Sequence, residues 1–242
     1  MSEGRTIPFV RVPGHDHAAI GYAIDCGASI VVPQVDTVAQ AAHVVSAAKF
    51  GSKYNGTRSA PPFRLIPGLT DTVVDPSLKG GIHENWNHQA AIIIQIESLK
   101  GIENLDAILT EVPDIDAVWL GTLDARVSMN LPANMYGPHD EPEWQAALAK
   151  YKETVRKHNK PFAGFALGPN SKAMGQGMSF IMCAADVAQL MGLSGRLQEC
   201  QEMFGKVTRE VYLGVEKNGF KADGRHEVVE NGGKAQVKTN GS

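Results

Sequence analysis

The chain has 242 residues, 43% of them hydrophobic, with 25 glycines and 13 prolines, which suits one α/β domain with a sizeable core. The formal net charge of −3 gives no large basic field, so nucleic acid is not an expected partner. No apolar run approaches the length of a membrane span and the first residues lack a signal-peptide pattern, so we expect a cytoplasmic protein without a membrane partner.

Strand and helix patterns alternate along the chain from Ile7 to Phe204. The predicted strands are Ile7–Val12, Ala28–Val35, Ile92–Ile96, Ala117–Leu120, Phe162–Leu167 and Met178–Ala184. Helices are predicted over His15–Gly27, from Asp36 or Thr37 to Phe50, and over Gly101–Leu109, Asp140–His158, Ser171–Gly175 and Asp186–Phe204. Repeated βα units build a parallel sheet, open or closed into a barrel. A closed barrel of this type needs eight strands, so the six strands predict an incomplete TIM-barrel-like α/β fold.

Three further segments show no strand or helix pattern. Gly51–Asn87 and Gly121–Gly137 are predicted as long loops, and long loops in compact domains are usually functional. Residues 222–242 are polar and glycine-rich without an apolar period, which predicts a disordered tail. The predicted organisation is therefore a barrel domain over residues 1–221 followed by that tail.

Two carboxylates come directly after buried strands. Glu97 ends the run A-A-I-I-I-Q-I-E, and Asp124 ends the run D-A-V-W-L-G-T-L-D. The carboxyl ends of parallel strands meet at one edge of a sheet, so both acids are placed to share one hard divalent cation. The alternative interpretation is that each acid caps the helix that follows its strand.

Three more polar residues are candidates for the same site. Arg11 ends the first strand, where a guanidinium needs an anion or a carboxylate partner. Gln95 alternates with the isoleucines around it and therefore points to the same side of its strand as Glu97. Arg58, in the run G-T-R-S, either holds a substrate carboxylate or is a surface loop arginine.

The run H-D-H that follows the first strand has two interpretations. His15, Asp16 and His17 are residue types that bind metals or act as a catalytic base. A helix begins at this point, however, and Asp16 suits its N-cap. The capping interpretation is favoured.

Several of these runs together resemble one known family. The runs Q-I-E-S-L-K-G-I-E-N-L-D-A-I-L, D-A-V-W-L-G-T-L-D, F-V-R-V-P and I-V-V-P-Q-V-D-T-V are similar to the metal-binding core of the HpcH/HpaI aldolase and citrate lyase family. The resemblance implies a (β/α)8 barrel, a homo-oligomer, and Mg²⁺ or Mn²⁺ bound by Glu97 and Asp124. It also implies that a 2-keto acid chelates this metal, that Arg11 stabilises the enolate oxygen, and that Gln95 hydrogen-bonds the substrate.

The chain departs from the family pattern in two places. The family has two strands and a helix before the position of Ile7, with a base histidine in the loop after the second strand, and the chain starts too late to include them. Arg126 also departs from the usual G-P-x-D-L-S run, and we expect it to add a charge close to the metal. A metal-bound water could act as the base in place of that histidine.

The expected function is that of a metal-dependent carbon–carbon lyase acting on small 2-keto acids through a pyruvate enolate. Aldol cleavage or condensation needs a base, whereas decarboxylation of oxaloacetate forms the enolate by losing CO₂. The alternative is a truncated, catalytically impaired homologue that acts only as a subunit or interaction protein. An activity on a CoA thioester is less expected, because no added basic loop is present to hold the CoA phosphates.

Overall fold

The computed structural model describes residues 8–60, 82–133, 139–166, 171–183, 186–204, 226–228 and 236–238. The chain divides into two compact units, Met1–Cys183 and Ala184–Ser242. Within the described residues, no helix combines the length and the apolar character needed to cross a membrane.

The first unit is built on one sheet of six parallel strands. They are β1 (Phe9–Arg11), β2 (Ser29–Val32), β3 (Ile92–Ile96), β4 (Ala117–Leu120), β5 (Phe162–Phe165) and β6 (Phe180–Met182). Each strand pairs with the next one along the chain, so the spatial order is the sequence order. The predicted α/β fold is confirmed, and the six predicted strands form this sheet within the residues that the structure describes. Among the described residues, β1 and β6 each have a strand partner on one side only.

Helices fill the connections between these strands. They are α1 (His17–Asp25), α2 (Val38–Ala48), α3 (Ile82–Gln89), α4 (Leu99–Glu111), α5 (Thr122–Ser128), α6 (Pro142–Lys157) and α7 (Ser171–Gly175), with a 3-10 turn at Ser52–Tyr54. β1, β2, β5 and β6 are each shorter than predicted, because only part of each apolar run pairs with a neighbouring strand.

The sheet curls into a half-barrel whose outer face is mainly aliphatic and whose inner face carries both aromatic and aliphatic residues. Outward residues such as Ile30 and Ile94 belong to the main core, which is shared with the helices. Trp119 lies on the inner face, in a separate cluster. The ring centroids of Phe9 on β1 and Phe180 on β6 are only 4.7 Å apart, although four strands lie between β1 and β6. Because side chains alternate along each strand, every second residue packs outward against the helices and the residues between them form the inner cluster.

Side-chain caps fix where three of the helices begin. The side chain of Asp16 accepts the backbone N–H of the third residue of α1 at 2.9 Å, which confirms the predicted N-cap. Thr37, rather than Asp36, caps α2 and forms a capping box with Gln40. Ser98 caps α4. The first turns of α1, α2 and α4, at the carboxyl edge of the sheet, are therefore held by the side chains of Asp16, Thr37 and Ser98.

Two helices lie where the sequence predicts loops. α3 and the 3-10 turn fall in the predicted loop Gly51–Asn87, of which residues 61–81 lie outside the described residues. α5 falls in the predicted loop Gly121–Gly137. The sequence of α3, I-H-E-N-W-N-H-Q, has two large apolar residues, and α5 is seven residues long. Neither helix is apolar and long enough to show a helical period.

The second unit contains α8 (Asp186–Phe204), as predicted, and two short antiparallel strands, β7 (His226–Val228) and β8 (Gln236–Lys238). These six residues lie in the segment 222–242, whose predicted disorder stays a prediction. Each strand is three residues long and contains a single valine, so neither run is long enough to show a strand period in the sequence. The rest of this tail, and the predicted boundary at residue 221, lie outside the described residues.

Candidate active site

A cleft with a volume of about 730 Å³ opens at the carboxyl edge of the sheet. Its lining comes from the ends of four successive strands. His15 follows β1, Gln34 follows β2, Glu97 follows β3, and Asp124 follows β4. Ligand sites of parallel α/β proteins form at this edge, because the connections after the strands bring polar side chains together there.

Glu97 is the buried acid of the cleft. It is 7% exposed, and its Oε2 accepts the backbone N–H of Gln34 at 2.9 Å. Burial raises the pKa of Glu97, and the charges of Asp124 and Asp36 raise it further, whereas the Gln34 hydrogen bond and the charge of Arg11 lower it. The effects that raise the pKa outweigh those that lower it, so the buried Glu97 carboxyl group lies in an excess of negative charge.

Gly121 makes room for Glu97. A Cβ atom on Gly121 would lie 2.5 Å from Cγ and 2.9 Å from Oε1 of Glu97. Gly121 directly follows β4, the neighbour of β3, so the Glu97 side chain crosses the end of the adjacent strand at this point. The glycine that precedes Asp124 in the sequence therefore has a steric role toward the other acid.

Neither acid caps the helix beside it. Ser98 is the N-cap of α4, and Gly121 is the N-cap of α5. Asp124 is exposed in the first turn of α5 and lines the cleft together with Glu97. The capping interpretation of the two acids is wrong, and both residues line the cleft.

Arg11 and Gln95 contact each other beside this cleft. Arg11 Nε donates to Gln95 Oε1 at 3.3 Å, and the charge of Arg11 acts on Glu97. Gln95 is buried, whereas Arg11 at the end of β1 is exposed. The structure thus brings Arg11, Gln95, Glu97 and Asp124 to the same edge of the sheet.

Arg58 is buried in the outer helical layer instead. Its Nη2 donates to Asp25 Oδ1 at 2.9 Å, and its guanidinium lies 4.5 Å from the centroid of the Phe50 ring. Asp25 is the last residue of α1, whereas Asp16 at the start of this nine-residue helix lines the cleft. At 1.5 Å per residue the two ends of α1 are about 13 Å apart. The structure does not bring Arg58 to the cleft, so the predicted substrate contact is not retained.

Arg126 is also directed away from the cleft, so its predicted place close to the metal is wrong. Its guanidinium donates to both carboxylate oxygens of Glu141, at 2.7 and 2.6 Å, and its Nε donates to the Pro132 carbonyl at 2.9 Å. Two residues along a helix correspond to a rotation of about 200°. Asp124 and Arg126 therefore lie on opposite sides of α5, and Arg126 anchors the helix that carries Asp124.

The family model described as HpcH/HpaI aldolase/citrate lyase matches residues 2–191. The chain belongs to the HpcH/HpaI aldolase/citrate lyase family. The resemblance seen in the strand and loop sequences is confirmed.

Relatives within the HpcH/HpaI family include 2-keto-3-deoxy-L-rhamnonate aldolases. That of Salmonella gallinarum is 31% identical over 186 residues, and that of Klebsiella pneumoniae is 30% identical over 189 residues. Each match covers 74% of this chain and 63% of the relative, so the chain spans less than two thirds of these curated relatives.

Solved structures show the same fold. Macrophomate synthase is 28% identical, with a TM-score of 0.67 over 85% of this chain and 70% of that chain. A family protein from Burkholderia cenocepacia J2315 is 22% identical, with a TM-score of 0.64 over 80% of this chain and 73% of that chain. The six parallel strands of this chain therefore share the fold of HpcH/HpaI proteins over the matched part of each chain.

Two residues that position the acids were not predicted from the sequence. Gln34 has a φ of 53°, which few residues other than glycine adopt, and this conformation accompanies the hydrogen bond from its N–H to Glu97. Asp36 Oδ1 accepts the hydroxyl of Ser98 at 2.5 Å, directly beside Glu97. The run V-P-Q-V-D carries no local signal for either contact, because each joins residues more than sixty positions apart.

The donor set of the cleft suits a hard divalent cation. Mg²⁺ and Mn²⁺ prefer carboxylate oxygens, and Glu97 and Asp124 present two carboxylates to one cleft. Burial and the surrounding negative charge raise the pKa of Glu97, and a dication would offset that charge. In the ranges that the structure describes, no group of three or more His, Cys, Asp or Glu side chains is arranged around one ion. Water and substrate would therefore supply the other ligands.

Proposed function

We propose that the chain is a metal-dependent carbon–carbon lyase that acts on small 2-keto acids through a pyruvate enolate. The observation that carries this proposal is the pair of acids, Glu97 and Asp124, on one cleft beside Arg11 and Gln95. Membership of the HpcH/HpaI family and the similarity to 2-keto-3-deoxy-L-rhamnonate aldolases support the reaction class.

Glu97 and Asp124 would hold Mg²⁺ or Mn²⁺. The metal would act as a Lewis acid toward the oxygens of the keto acid. The protein supplies a second positive charge, because the Arg11 guanidinium at the end of β1 faces the same edge of the sheet. A charged group of this kind typically contributes about 3 kcal/mol toward stabilising a developing oxyanion.

Gln95 has two tasks in this arrangement. Its Oε1 accepts a hydrogen bond from Arg11, which limits the orientations of the guanidinium. Its amide N–H₂ group is left to donate to a substrate oxygen, because an amide side chain carries both an acceptor and a donor end. Gln95 therefore orients the substrate and Arg11 together.

The proposal is tested by replacing Glu97 with Gln and following pyruvate release from oxaloacetate in the presence of Mn²⁺. Gln keeps the size of the side chain and an oxygen for the Gln34 N–H, but it removes the charge. We expect turnover to fall by about 100-fold or more and Mn²⁺ affinity to fall in a calorimetric titration. Glu103→Gln, on the exposed side of α4, is the matched control. Unchanged turnover of the Glu97 variant would refute the assignment.

A second candidate function is that of a non-catalytic subunit. The observation that favours it is the pair of outer strands, β1 and β6, each with one strand partner among the described residues. Unpaired strand edges are sites where another chain can add. A folded protein that binds Mn²⁺ but releases no pyruvate from oxaloacetate would favour this candidate over the lyase.

We also propose that the protein forms a homo-oligomer. Leu190, Leu193 and Leu197 on α8 are spaced for one side of the helix and are 67%, 46% and 54% exposed. Exposed apolar patches of this kind mark interaction surfaces. Light scattering of the full chain should give a mass above one subunit, and Leu193→Lys should lower it. A monomeric wild type would contradict this proposal.

A further inference from the structure

We propose that His15 is the general base of this cleft. The inference rests on the proposed function, and it deepens that function by assigning the residue that moves the substrate proton. His15 directly precedes the N-cap of α1 and lines the cleft that also contains Glu97 and Asp124. The sequence favoured a capping role for the run H-D-H, and that role belongs to Asp16 alone.

One hydrogen bond determines the tautomer of the His15 ring. His15 Nε2 lies 2.7 Å from the carbonyl oxygen of Pro33. A carbonyl oxygen only accepts, so Nε2 must carry the hydrogen. In the neutral ring Nδ1 then holds a lone pair, and it has no hydrogen-bond partner in the part of the chain that the structure describes. A ring held by one nitrogen, with the other free to take a proton, is the arrangement of a general base.

The position of His15 is linked to the position of Glu97 through two consecutive residues. Pro33, which accepts from the ring, is buried at the end of β2. The next residue, Gln34, donates its backbone N–H to Glu97. On its other side, the backbone carbonyl of His15 accepts from His43 Nε2 of α2 at 2.8 Å. The same turn therefore holds the imidazole and the acid in a fixed relation.

His17, two residues after His15, has different contacts. Nε2 of His17 lies 3.1 Å from both the carbonyl oxygen and the hydroxyl of Thr57. His17 does not line the cleft. Of the two histidines in the run, one therefore faces the acids and the other joins α1 to the segment after α2.

His15 would move protons in two related steps. In enolisation, Nδ1 takes a proton from the methyl group of pyruvate, the C–H electron pair forms the C2–C3 double bond, and the carbonyl electrons move to oxygen. In aldol cleavage, Nδ1 takes the proton of the C4 hydroxyl, and the C3–C4 bond breaks as C4 leaves in an aldehyde. The electron pair of the C3–C4 bond forms the C2–C3 double bond of the enolate. The proton then returns from Nδ1 to C3, which yields pyruvate and restores the neutral ring.

The test is the exchange of pyruvate methyl protons with D₂O, followed by proton NMR with the Mg²⁺-loaded protein. His15→Asn should reduce the exchange rate by about 100-fold, because Asn keeps a polar side chain but lacks a base. His15→Gln should do the same, so the result does not depend on the folding of one variant. His17→Asn is the matched control and should exchange at the wild-type rate. Exchange by both His15 variants at the wild-type rate would overturn the proposal.

A second readout does not depend on activity. The ¹⁵N shifts of the His15 ring, assigned by the loss of its signals in His15→Asn, should show a protonated Nε2 and a bare Nδ1. A protonated Nδ1 in the neutral ring would overturn the proposal.

Oxaloacetate separates this proposal from the lyase assignment. Loss of CO₂ forms the enolate without a base, so His15→Asn should lower exchange far more than pyruvate release. A wild type that releases pyruvate but exchanges no methyl protons would overturn the role of His15 and leave the lyase assignment standing. A wild type that does neither would overturn both.

Discussion

Charges are paired closely in the outer helical layer of the first unit and are unbalanced at the carboxyl edge of its sheet. Arg126 is fully buried, and its guanidinium meets both oxygens of Glu141. At the edge, Glu97 is also buried, but its carboxyl group lies near two further acids and receives one backbone hydrogen bond at 2.9 Å.

The paired charges hold the fold, and the unbalanced acids are the ones proposed to bind a cation. A buried ion pair with good geometry offsets its own desolvation and anchors the segments it joins. A buried acid among other acids is destabilised by their negative charge, and a cation at this place would offset that charge. Perturbed carboxyl groups in a cleft are therefore indicators of function. Four changes test whether the two regions differ in this way.

The largest effect is expected at Arg11, on the unbalanced side. Arg11→Met should lower the rate of pyruvate release from oxaloacetate by about 150-fold, because it removes the positive charge beside the developing enolate. Arg156→Met, on the exposed face of α6, is the matched control. If both variants turn over alike in steady-state assays, Arg11 has no part in the chemistry.

On the paired side, Arg126→Met should lower the free energy of unfolding by about 3 kcal/mol in urea titrations. The change removes two bonds to Glu141 and leaves its carboxylate without a cation. The value is at the low end for a buried pair, because the Glu141 side chain is 25% exposed. Arg156→Met should change stability by less than about 0.5 kcal/mol. Equal stability of the two variants would show that the pair is not structural.

Gly121→Ala should weaken Mn²⁺ binding by about 10-fold or more in calorimetric titrations, because the new Cβ displaces the Glu97 side chain. Gly21→Ala, in α1, is the control, since a Cβ there meets nothing within 4 Å. Wild-type affinity in the Gly121 variant would mean that Glu97 is free to reposition.

The smallest effect concerns acid stability. The hydrogen bonds from Arg126 lower the pKa of Glu141 from 4.5 to about 2. A carboxyl group with a lowered pKa in the folded state stabilises the fold when the pH is above its pKa in the unfolded chain. For Glu141 this contribution is lost as pH falls from about 4.5 to about 2. Urea titrations at pH 5 and pH 3 should show a smaller loss of stability for Glu141→Gln than for wild type. A steeper loss of stability in the variant would contradict the prediction that the ionised Glu141 stabilises the fold.

Most of the fold was predictable because its signals are local. β3 and β4 have the predicted bounds, since short apolar runs bounded by turn residues need no distant partner to be recognised. Asp16 was predicted as an N-cap on the same ground. For the candidate site, strand ends alone point to Glu97, Asp124, Arg11 and Gln95, because parallel strands share one edge; their roles stay predictions.

By itself, the sequence determined the order of strands and helices, the family of the chain, and the edge of the sheet where polar residues meet. Tertiary structure alone decided which charged residues reach that edge. Arg58 pairs with Asp25, Arg126 turns to Glu141, and His15 bonds to Pro33. These contacts join residues 15 to 33 positions apart, so their geometry depends on how the helices pack on the sheet.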